Sequence, residues 1–335
     1  MRAVVEATRS GIVESRHEIH AVTIDMAGER FRFGDPGTVA YMRSAAKPFQ
    51  AIGVILSGAA AAFRLEEADL AVIAASHGGE TMHTERVAAM LKMAGLDTSH
   101  LKCGIHPPHS AEAAAALDGP PNELHSNCSG NHTGMLLSAV HGSHTLDYLS
   151  PEHPVQQANL AIMAAYTGLP PEEIGIGVDG CGVPAYAVPV SAMARAYLRL
   201  VRPDAGIPSE MAEAGQRIAR AMARHPYLVG GRGEFTSEAM VALGGRLVAK
   251  GGAEAVFCAA VPEEGVAMAL KVADGAKRAV PPAASSMLAR TGVVRPEEMA
   301  ALRELGASPL RNIAGRLVGS LTLHIFDGEE GAEAS

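Results

Sequence analysis

The sequence predicts an α/β (α+β) fold, in which an antiparallel sheet is flanked by helices and joined to a helical lobe. Segments that alternate apolar and polar residues, as half-buried strands do, lie near both ends of the chain. Helical patterns fill much of the region between them. The chain has 335 residues, of which 48% are hydrophobic and 19% charged, so it can bury a large core. Strands at both termini imply that the two ends meet in one sheet.

The elements follow in order along the chain. Residues 1–40 are predicted to form short antiparallel strands, because 21–25 and 31–33 alternate apolar and polar residues before the break at Gly34, Asp35 and Pro36. A helix is predicted from Ser44 to Gly58, and a buried strand over 70–75 that leads into Ser76. Further helices are predicted at 84–95, 154–166, 209–224, 238–243 and around 282–305. Further strands are predicted within 174–182 and at 246–249, 255–260, 266–272 and 317–326.

These elements predict one catalytic domain over residues 1–330, built from two lobes. Residues 1–45 and 235–330 are expected to form a sheet lobe, and residues 46–234 a helix-rich lobe. The acidic stretch 329–335 is expected to be a disordered tail.

Charge and cysteine content exclude several function classes. The formal net charge is −8 and no basic run occurs, which argues against nucleic acid as a partner. Neither a signal-peptide core nor a stretch of about 18 apolar residues is present, so we expect a cytoplasmic protein without a membrane partner. The four cysteines, at 103, 128, 181 and 258, form no C-x-x-C pair. In a reducing compartment they are expected to be thiols, either buried or metal-bound.

Ser44 and Lys47 stand three residues apart in Y-M-R-S-A-A-K-P-F-Q, residues 41–50. If Ser44 opens a helix, the two side chains share a face of its first turn, where Pro48 is also tolerated. A serine hydroxyl needs a nearby base to become a nucleophile, and a lysine with a depressed pKa can supply it. The same spacing also arises by chance, as a helix-capping serine followed by a solvated lysine.

Companion motifs decide between these two interpretations. Serine acyl enzymes that recognise penicillins combine S-x-x-K with S-D-N and K-T-G. Lys250, Gly251 and Gly252 follow a predicted strand and resemble the K-T-G element, although a charged residue closing an edge strand would look the same. The S-D-N element is missing, with only S-N-C at 126–128 as a distant echo. The G-x-G-x-x-G match at 175–180 is not followed by a helix start, so we reject a dinucleotide site there.

Six motifs in order resemble the asparaginase II family, the rhizobial-type L-asparaginases. They are R-S-A-A-K-P-F-Q, A-S-H-G-G-E, C-G-I-H-P-P, N-C-S-G-N-H-T-G-M, D-G-C-G-V-P and A-K-G-G-A-E-A-V. The resemblance runs from about Val4 to beyond Asp274. It implies a fold similar to serine β-lactamases and bacterial glutaminases, a homodimer, and hydrolysis of L-asparagine to aspartate and ammonia.

The resemblance also implies catalytic residues. Ser44 and Lys47 match the first serine–lysine pair, Ser76 matches the second serine, and Lys250 matches its lysine partner, with Lys271 as a rival. By this interpretation, burial and the positive charge of Lys250 favour the neutral form of the Lys47 amine, which can then take the Ser44 proton. Activity should therefore rise toward alkaline pH. The expected substrate-binding residues lie in the same motifs; they are Arg43, His77, Asn127 and Gly182.

The family resemblance further implies a zinc ion near the site, although no cofactor is expected to be required. Cys128 and Cys181 match its thiolate ligands, but Asn131 stands where the family has a lysine ligand. Asparagine is a poor zinc ligand, and His132 or water would have to substitute. A second cluster, Cys103, His106 and His109, has ligand chemistry but contains two prolines and is better explained as a rigid turn; its sequence is C-G-I-H-P-P-H.

Three other functions stay open at this level. A penicillin-recognising serine acyl enzyme would share the serine–lysine core. A glutaminase differs by one methylene in its substrate, which is worth only about 1–3 kcal/mol of discrimination. A non-catalytic relative that binds an amino acid or a metal is the third.

Overall fold

A computed structural model describes residues 1–326 of the chain. These residues form strands β1 to β11 and helices α1 to α13. The strands are β1 (Arg2–Arg9), β2 (Ile12–Asp25), β3 (Gly28–Phe33), β4 (Val39–Tyr41), β5 (Gly175–Val178), β6 (Pro184–Pro189), β7 (Val248–Gly252), β8 (Val256–Val261), β9 (Val266–Val272), β10 (Ser308–Arg311) and β11 (Leu317–Phe326). The helices are α1 (Lys47–Leu56), α2 (Ala59–Ala62), α3 (Glu67–Ile73), α4 (Thr81–Met93), α5 (Ala111–Ala115), α6 (Ser129–His141), α7 (Pro154–Thr167), α8 (Val190–Val201), α9 (Ser209–Arg224), α10 (Pro226–Val229), α11 (Phe235–Ala242), α12 (Val280–Arg290) and α13 (Pro296–Gly306). The acidic tail predicted at 329–335 lies outside the described residues.

The main sheet has eight strands, in the order β10-β11-β1-β2-β9-β8-β7, with β3 paired to β2. Every pairing in it is antiparallel, including the pairing of β1 with β11 that joins the two ends of the described chain. The predicted mixed fold with an antiparallel sheet is therefore confirmed. The division into a sheet lobe and a helix-rich lobe stays a prediction.

A second sheet was not predicted. It has three antiparallel strands in the order β4-β6-β5, and it runs from β6 directly into α8. The main sheet also gains the short strand β10, which the sequence patterns did not indicate.

The segment 70–75 was wrongly predicted as a buried strand, because the structure has helix α3 there. Glu66 and Asp69 form a reciprocal cap at the start of this helix, with the Glu66 amide 2.9 Å from an Asp69 carboxylate oxygen. Acidic side chains in a first turn also stabilise the positive end of the helix dipole. All residues from Ala68 to Ile73 are buried, so the apolar run lacks the one-sided pattern of a surface helix.

Helix α1 lies at the centre of the helical region, where it packs against α6, α7 and α9. Phe49 on this helix contacts two fully buried tyrosines, Tyr166 with ring centroids 5.2 Å apart and Tyr197 at 5.6 Å. The Tyr197 hydroxyl donates a hydrogen bond of 2.9 Å to the Ala45 carbonyl. The turn that carries Ser44 is therefore held by the aromatic core. No helix among residues 1–326 combines the length and the apolar character that a bilayer crossing needs.

Candidate active site

Ser44 lies in a short 3₁₀ helix, Arg43–Ala46, that leads directly into α1. The sequence predicted that Ser44 would open an α-helix, but the first α-helical residue is Lys47. Arg43 adopts a left-handed conformation, with φ of 52°, that turns the chain from β4 into this 3₁₀ helix. In a 3₁₀ turn residues three apart eclipse each other, so Ser44 and Lys47 still share a side.

Ser76 follows α3 in an extended loop that is held from two directions. Its amide donates to the Val229 carbonyl at 3.0 Å, and the next amide, of His77, donates to the Asn127 carbonyl at 3.1 Å. These bonds fix the backbone, so the Ser76 hydroxyl projects from a rigid support. Through these bonds the loop contacts the end of α10, at Val229, and the segment before α6, at Asn127.

Two lysine amines converge on the Ser76 hydroxyl. Lys47 Nζ and Lys250 Nζ each lie 2.9 Å from Ser76 Oγ. The two nitrogens are therefore no further apart than twice that distance, although the residues are far apart in the chain. The sequence placed Lys47 beside Ser44, but within residues 1–326 its amine makes no hydrogen bond to Ser44. The Lys47 side chain instead extends into the interior, where it is 3% exposed.

Lys250 lies within β7 and is 2% exposed. It also donates to the Gly251 carbonyl at 2.9 Å. Burial lowers the pKa of Lys250 well below the usual lysine range, and the charge of Lys47 lowers it further. The rival Lys271 lies on β9, where it donates to the Val272 carbonyl. Lys250, and not Lys271, is therefore the second lysine that reaches Ser76.

Gly252 allows β7 to lie directly against the Ser44 turn. A Cβ added at Gly252 would stand 2.5 Å from the Met42 carbonyl oxygen and 3.4 Å from the Ala45 amide nitrogen. Any other residue would push the strand away from the turn. The glycine that the sequence offered as part of a K-T-G-like element thus brings Lys250 close to the serines.

A cavity of about 240 Å³ opens beside these side chains. Four predicted residues line it, namely Ser44, Ser76, Asn127 and Lys250. Four polar or charged residues that the sequence did not assign to the substrate also line it, namely His109, Glu234, Thr236 and Lys277. His109 belongs to the C-G-I-H-P-P-H segment, whereas Glu234, Thr236 and Lys277 lie in no motif that the sequence indicated.

Three of the predicted substrate-binding residues do not line this cavity. Arg43 forms a two-point ion pair with Asp179, at 3.0 and 3.1 Å. His77 is fully buried, with its Nδ1 accepting from the Gly79 amide, so its Nε2 carries the proton and donates to Ser129 Oγ at 3.0 Å. Their roles in substrate binding, like that of Gly182, stay predictions that the cavity does not support.

Cys128 and Cys181 come together beside Lys47. The Lys47 amine lies 3.1 Å from Cys128 Sγ, and Cys181 provides a hydrogen bond to the same sulfur. The hydrogen bond from Cys181 and the charge of Lys47 lower the pKa of the Cys128 thiol below its usual range, against the effect of burial. Cys128 Sγ also lies 3.2 Å from Asn127 Oδ1.

The donor set does not fit a zinc ion. Zinc sites in proteins take three or four nitrogen, sulfur or carboxylate ligands. Within residues 1–326, no three His, Cys, Asp or Glu side chains come together as a possible metal site. Asn131 donates from Nδ2 to the Ile73 carbonyl at 3.2 Å, which leaves only a buried amide oxygen without a partner in the described chain. His132 is also buried; its Nδ1 bonds to the Tyr148 hydroxyl at 2.8 Å, and its Nε2 has no partner in the described chain.

The second metal hypothesis, on Cys103, His106 and His109, finds no support either. The two imidazole rings stack on each other with centroids 4.5 Å apart, and the Cys103 thiol lies 3.8 Å from the Glu123 carbonyl. Burial raises the pKa of the Cys103 thiol, which disfavours the thiolate that a metal requires. The segment is an irregular loop with bends at Cys103 and His109.

No curated protein sequence matches the chain. Among solved structures, a β-lactamase from Mycobacterium bovis has a TM-score of 0.43 and 15% identity, over 81% of this chain and 94% of that chain. A protein from Bacteroides dorei, described as a candidate β-lactamase, has a TM-score of 0.38 and 11% identity, over 86% of this chain and 93% of that chain. The L-asparaginase II family model matches residues 5–323. Because that match spans nearly the whole chain, the protein belongs to the L-asparaginase II family and is an amidohydrolase of that family.

Proposed function

We propose that this protein hydrolyses the side-chain amide of L-asparagine to aspartate and ammonia, through an acyl-enzyme intermediate on Ser44. One observation carries the proposal. Ser76 Oγ lies 2.9 Å from two lysine nitrogens, and Ser44 lines the same cavity. Family membership supports an amidohydrolase, and a serine beside lysine bases is a chemistry that can open an amide.

The hydrogen bonds support different roles for the two serines. A serine hydroxyl has one donor hydrogen and two acceptor lone pairs. Lys47 and Lys250 occupy both acceptor positions of Ser76, so Ser76 is suited to pass on a proton and poorly suited to attack. The Ser44 hydroxyl makes no side-chain hydrogen bond within residues 1–326, so its lone pairs are free for the nucleophilic step.

The lysines supply the base. Lys250 is neutral at a lower pH than an ordinary lysine, because burial and the charge of Lys47 lower its pKa. The neutral Lys250 amine can therefore accept the proton that leaves Ser44 as its oxygen bonds to the amide carbon. Ser76 then gives its hydroxyl proton to the nitrogen as the carbon–nitrogen bond breaks and ammonia departs, and the Lys250 ammonium returns a proton to Ser76 across their 2.9 Å contact. Water cleaves the resulting aspartyl ester and restores Ser44.

Backbone amides at the start of the Arg43–Ala46 turn are the candidate donors to the oxyanion. The first amides of a helix lack acceptors within it, and Ser44 lines the cavity. The proposal gives zinc no step, since the donor set beside Lys47 does not fit that ion.

The decisive experiment measures ammonia release from asparagine and from glutamine. Ser44→Ala should abolish turnover, and Ser76→Ala should reduce it by about 10²–10⁴-fold, the usual contribution of a proton-transfer group. Ser209→Ala, an exposed serine outside the cavity, is the matched control. Intact-protein mass spectrometry after rapid acid quenching should find the aspartyl ester on Ser44. Normal activity in Ser44→Ala, or an ester on another residue, would refute the assignment.

A further inference from the structure

An amino-acid amide carries two charged groups that the serines and lysines near Ser76 leave unassigned. Its α-ammonium needs an acceptor, and its α-carboxylate needs a cation or several donors. The sequence offered Arg43 as one substrate-binding cation, but Arg43 forms an ion pair with Asp179 and does not line the cavity. The partners for these groups must therefore lie elsewhere in the cavity wall.

Glu234 and Lys277 are the opposite charges that remain in that wall. Glu234 stands immediately before α11, and Lys277 opens the 3₁₀ turn Lys277–Ala279 that follows β9. Both side chains are exposed, and neither forms a salt bridge or a side-chain hydrogen bond within residues 1–326. Each side chain can therefore form an ion pair with a charged group of a ligand.

Both charges also act on the reaction centre. Glu234 raises the pKa of Lys250, whereas Lys277 lowers it, so both side chains are within electrostatic reach of that amine. A negative Glu234 and a positive Lys277 at the same cavity complement the ammonium and the carboxylate of a free amino acid.

The size of the cavity agrees with such a ligand. Its volume of about 240 Å³ is below the roughly 300–1,000 Å³ of sites for drug-sized molecules. Phe235 and Val256 add apolar surface to the wall. The cavity can thus hold a short aliphatic chain between a polar floor and a charged mouth.

We propose that Glu234 binds the α-ammonium and Lys277 the α-carboxylate of the substrate whose side-chain amide lies at Ser44. The cavity then selects free α-amino acids over amides that lack either group. This inference rests on the proposed function, since it concerns the same substrate.

The test pairs two variants with two truncated substrates. Succinamate lacks the α-ammonium of asparagine, and 3-aminopropanamide lacks its α-carboxylate. The unmodified protein should prefer asparagine over either analogue by about 10- to 100-fold in kcat/KM, the range of a charge-assisted hydrogen bond. Glu234→Gln should lose the preference over succinamate only, and Lys277→Gln the preference over 3-aminopropanamide only. The loss should lie mainly in KM.

Two exposed residues outside the cavity, Lys92 and Glu172, provide matched controls as Lys92→Gln and Glu172→Gln. Equal losses on all three substrates in the cavity variants, or unchanged preferences, would overturn the inference. Calorimetric titration of Ser44→Ala with L-aspartate, with and without each cavity substitution, separates this outcome from failure of the proposed function. Binding that weakens about 10-fold or more with either substitution supports the inference even if asparagine is not hydrolysed. Binding that does not change, or no binding at all, counts against it.

Discussion

Lys250→Met should separate the catalytic contribution of this lysine from its effect on stability. The substitution replaces a buried amine with an apolar side chain of similar length. It removes the 2.9 Å bonds to Ser76 and to the Gly251 carbonyl. Loss of a proton-transfer group typically costs about 10²–10⁴-fold in rate. That loss corresponds to about 3–5 kcal/mol of transition-state stabilisation.

The same substitution should stabilise the folded protein. Lys250 is 2% exposed, and its pKa is lowered because burial penalises the charged form. The folded state therefore binds this proton less tightly than the unfolded state does. Above the ordinary lysine pKa both states are neutral and no penalty exists. As the pH falls below that value, Lys250 is protonated in the unfolded state but stays neutral in the folded state, so the folded protein loses stability. The loss continues until the pH reaches the lowered pKa.

The expected result is a pH-dependent difference in stability. Between the lowered and the ordinary pKa, the unfolding equilibrium constant of the original protein relative to Lys250→Met should rise about tenfold for each unit that the pH falls. Urea unfolding at several pH values from 6 to 10 measures this difference. The extra stability of Lys250→Met relative to the original protein should be largest at low pH and vanish near the ordinary lysine pKa.

Lys271→Met is the control, since Lys271 also lies on a strand of the main sheet but does not line the cavity. It should retain activity. A stability difference for Lys250→Met that stays constant from pH 6 to 10, or full activity in that variant, would refute the reasoning.

Three further predictions follow from the packing around the site. Gly252→Ala should lower the free energy of unfolding by about 1–3 kcal/mol and activity by about 100-fold, because the added Cβ would lie 2.5 Å from the Met42 carbonyl oxygen. Urea unfolding measures the first effect and ammonia release the second. A variant with unchanged stability and activity would contradict the close approach. Tyr197→Phe should cost about 1–3 kcal/mol, because the buried Ala45 carbonyl loses its 2.9 Å bond; a thermal unfolding shift tests this, and no shift would argue against it. Chelation should leave ammonia release unchanged, because Asn131 offers zinc only an amide oxygen; activity lost with chelator and restored by zinc, with metal analysis in parallel, would show the opposite.

The wrong prediction over 70–75 has a specific cause. A short apolar run gives no period that separates a buried strand from a buried helix, because every position is covered in either case. The deciding signal was upstream, in the acidic residues Glu66, Glu67 and Asp69, which cap the first turn of α3. Ser76 was nevertheless expected at the end of a buried element, and it does follow one.

The two glycines of N-C-S-G-N-H-T-G lie inside α6, where its backbone passes close to α3. An added Cβ would meet Val72 at Gly130 and Ile73 at Gly134, within 2.3 and 2.6 Å. The motif does not show which helix lies against these glycines, because that depends on how distant segments pack.

By itself, the sequence determined the family and the antiparallel sheet, and it indicated Ser44, Lys47 and Ser76 as candidate catalytic residues, with Lys250 or Lys271 as the second lysine. Alternation, glycine positions and ordered motifs are local properties of the chain, and a single segment suffices to display them. Only the tertiary structure decided that Lys47 and Lys250 both reach Ser76 and that Arg43 forms an ion pair with Asp179. Those outcomes depend on which distant segments are packed together, and long side chains such as lysine and arginine bond to whichever acceptor the packing brings within reach.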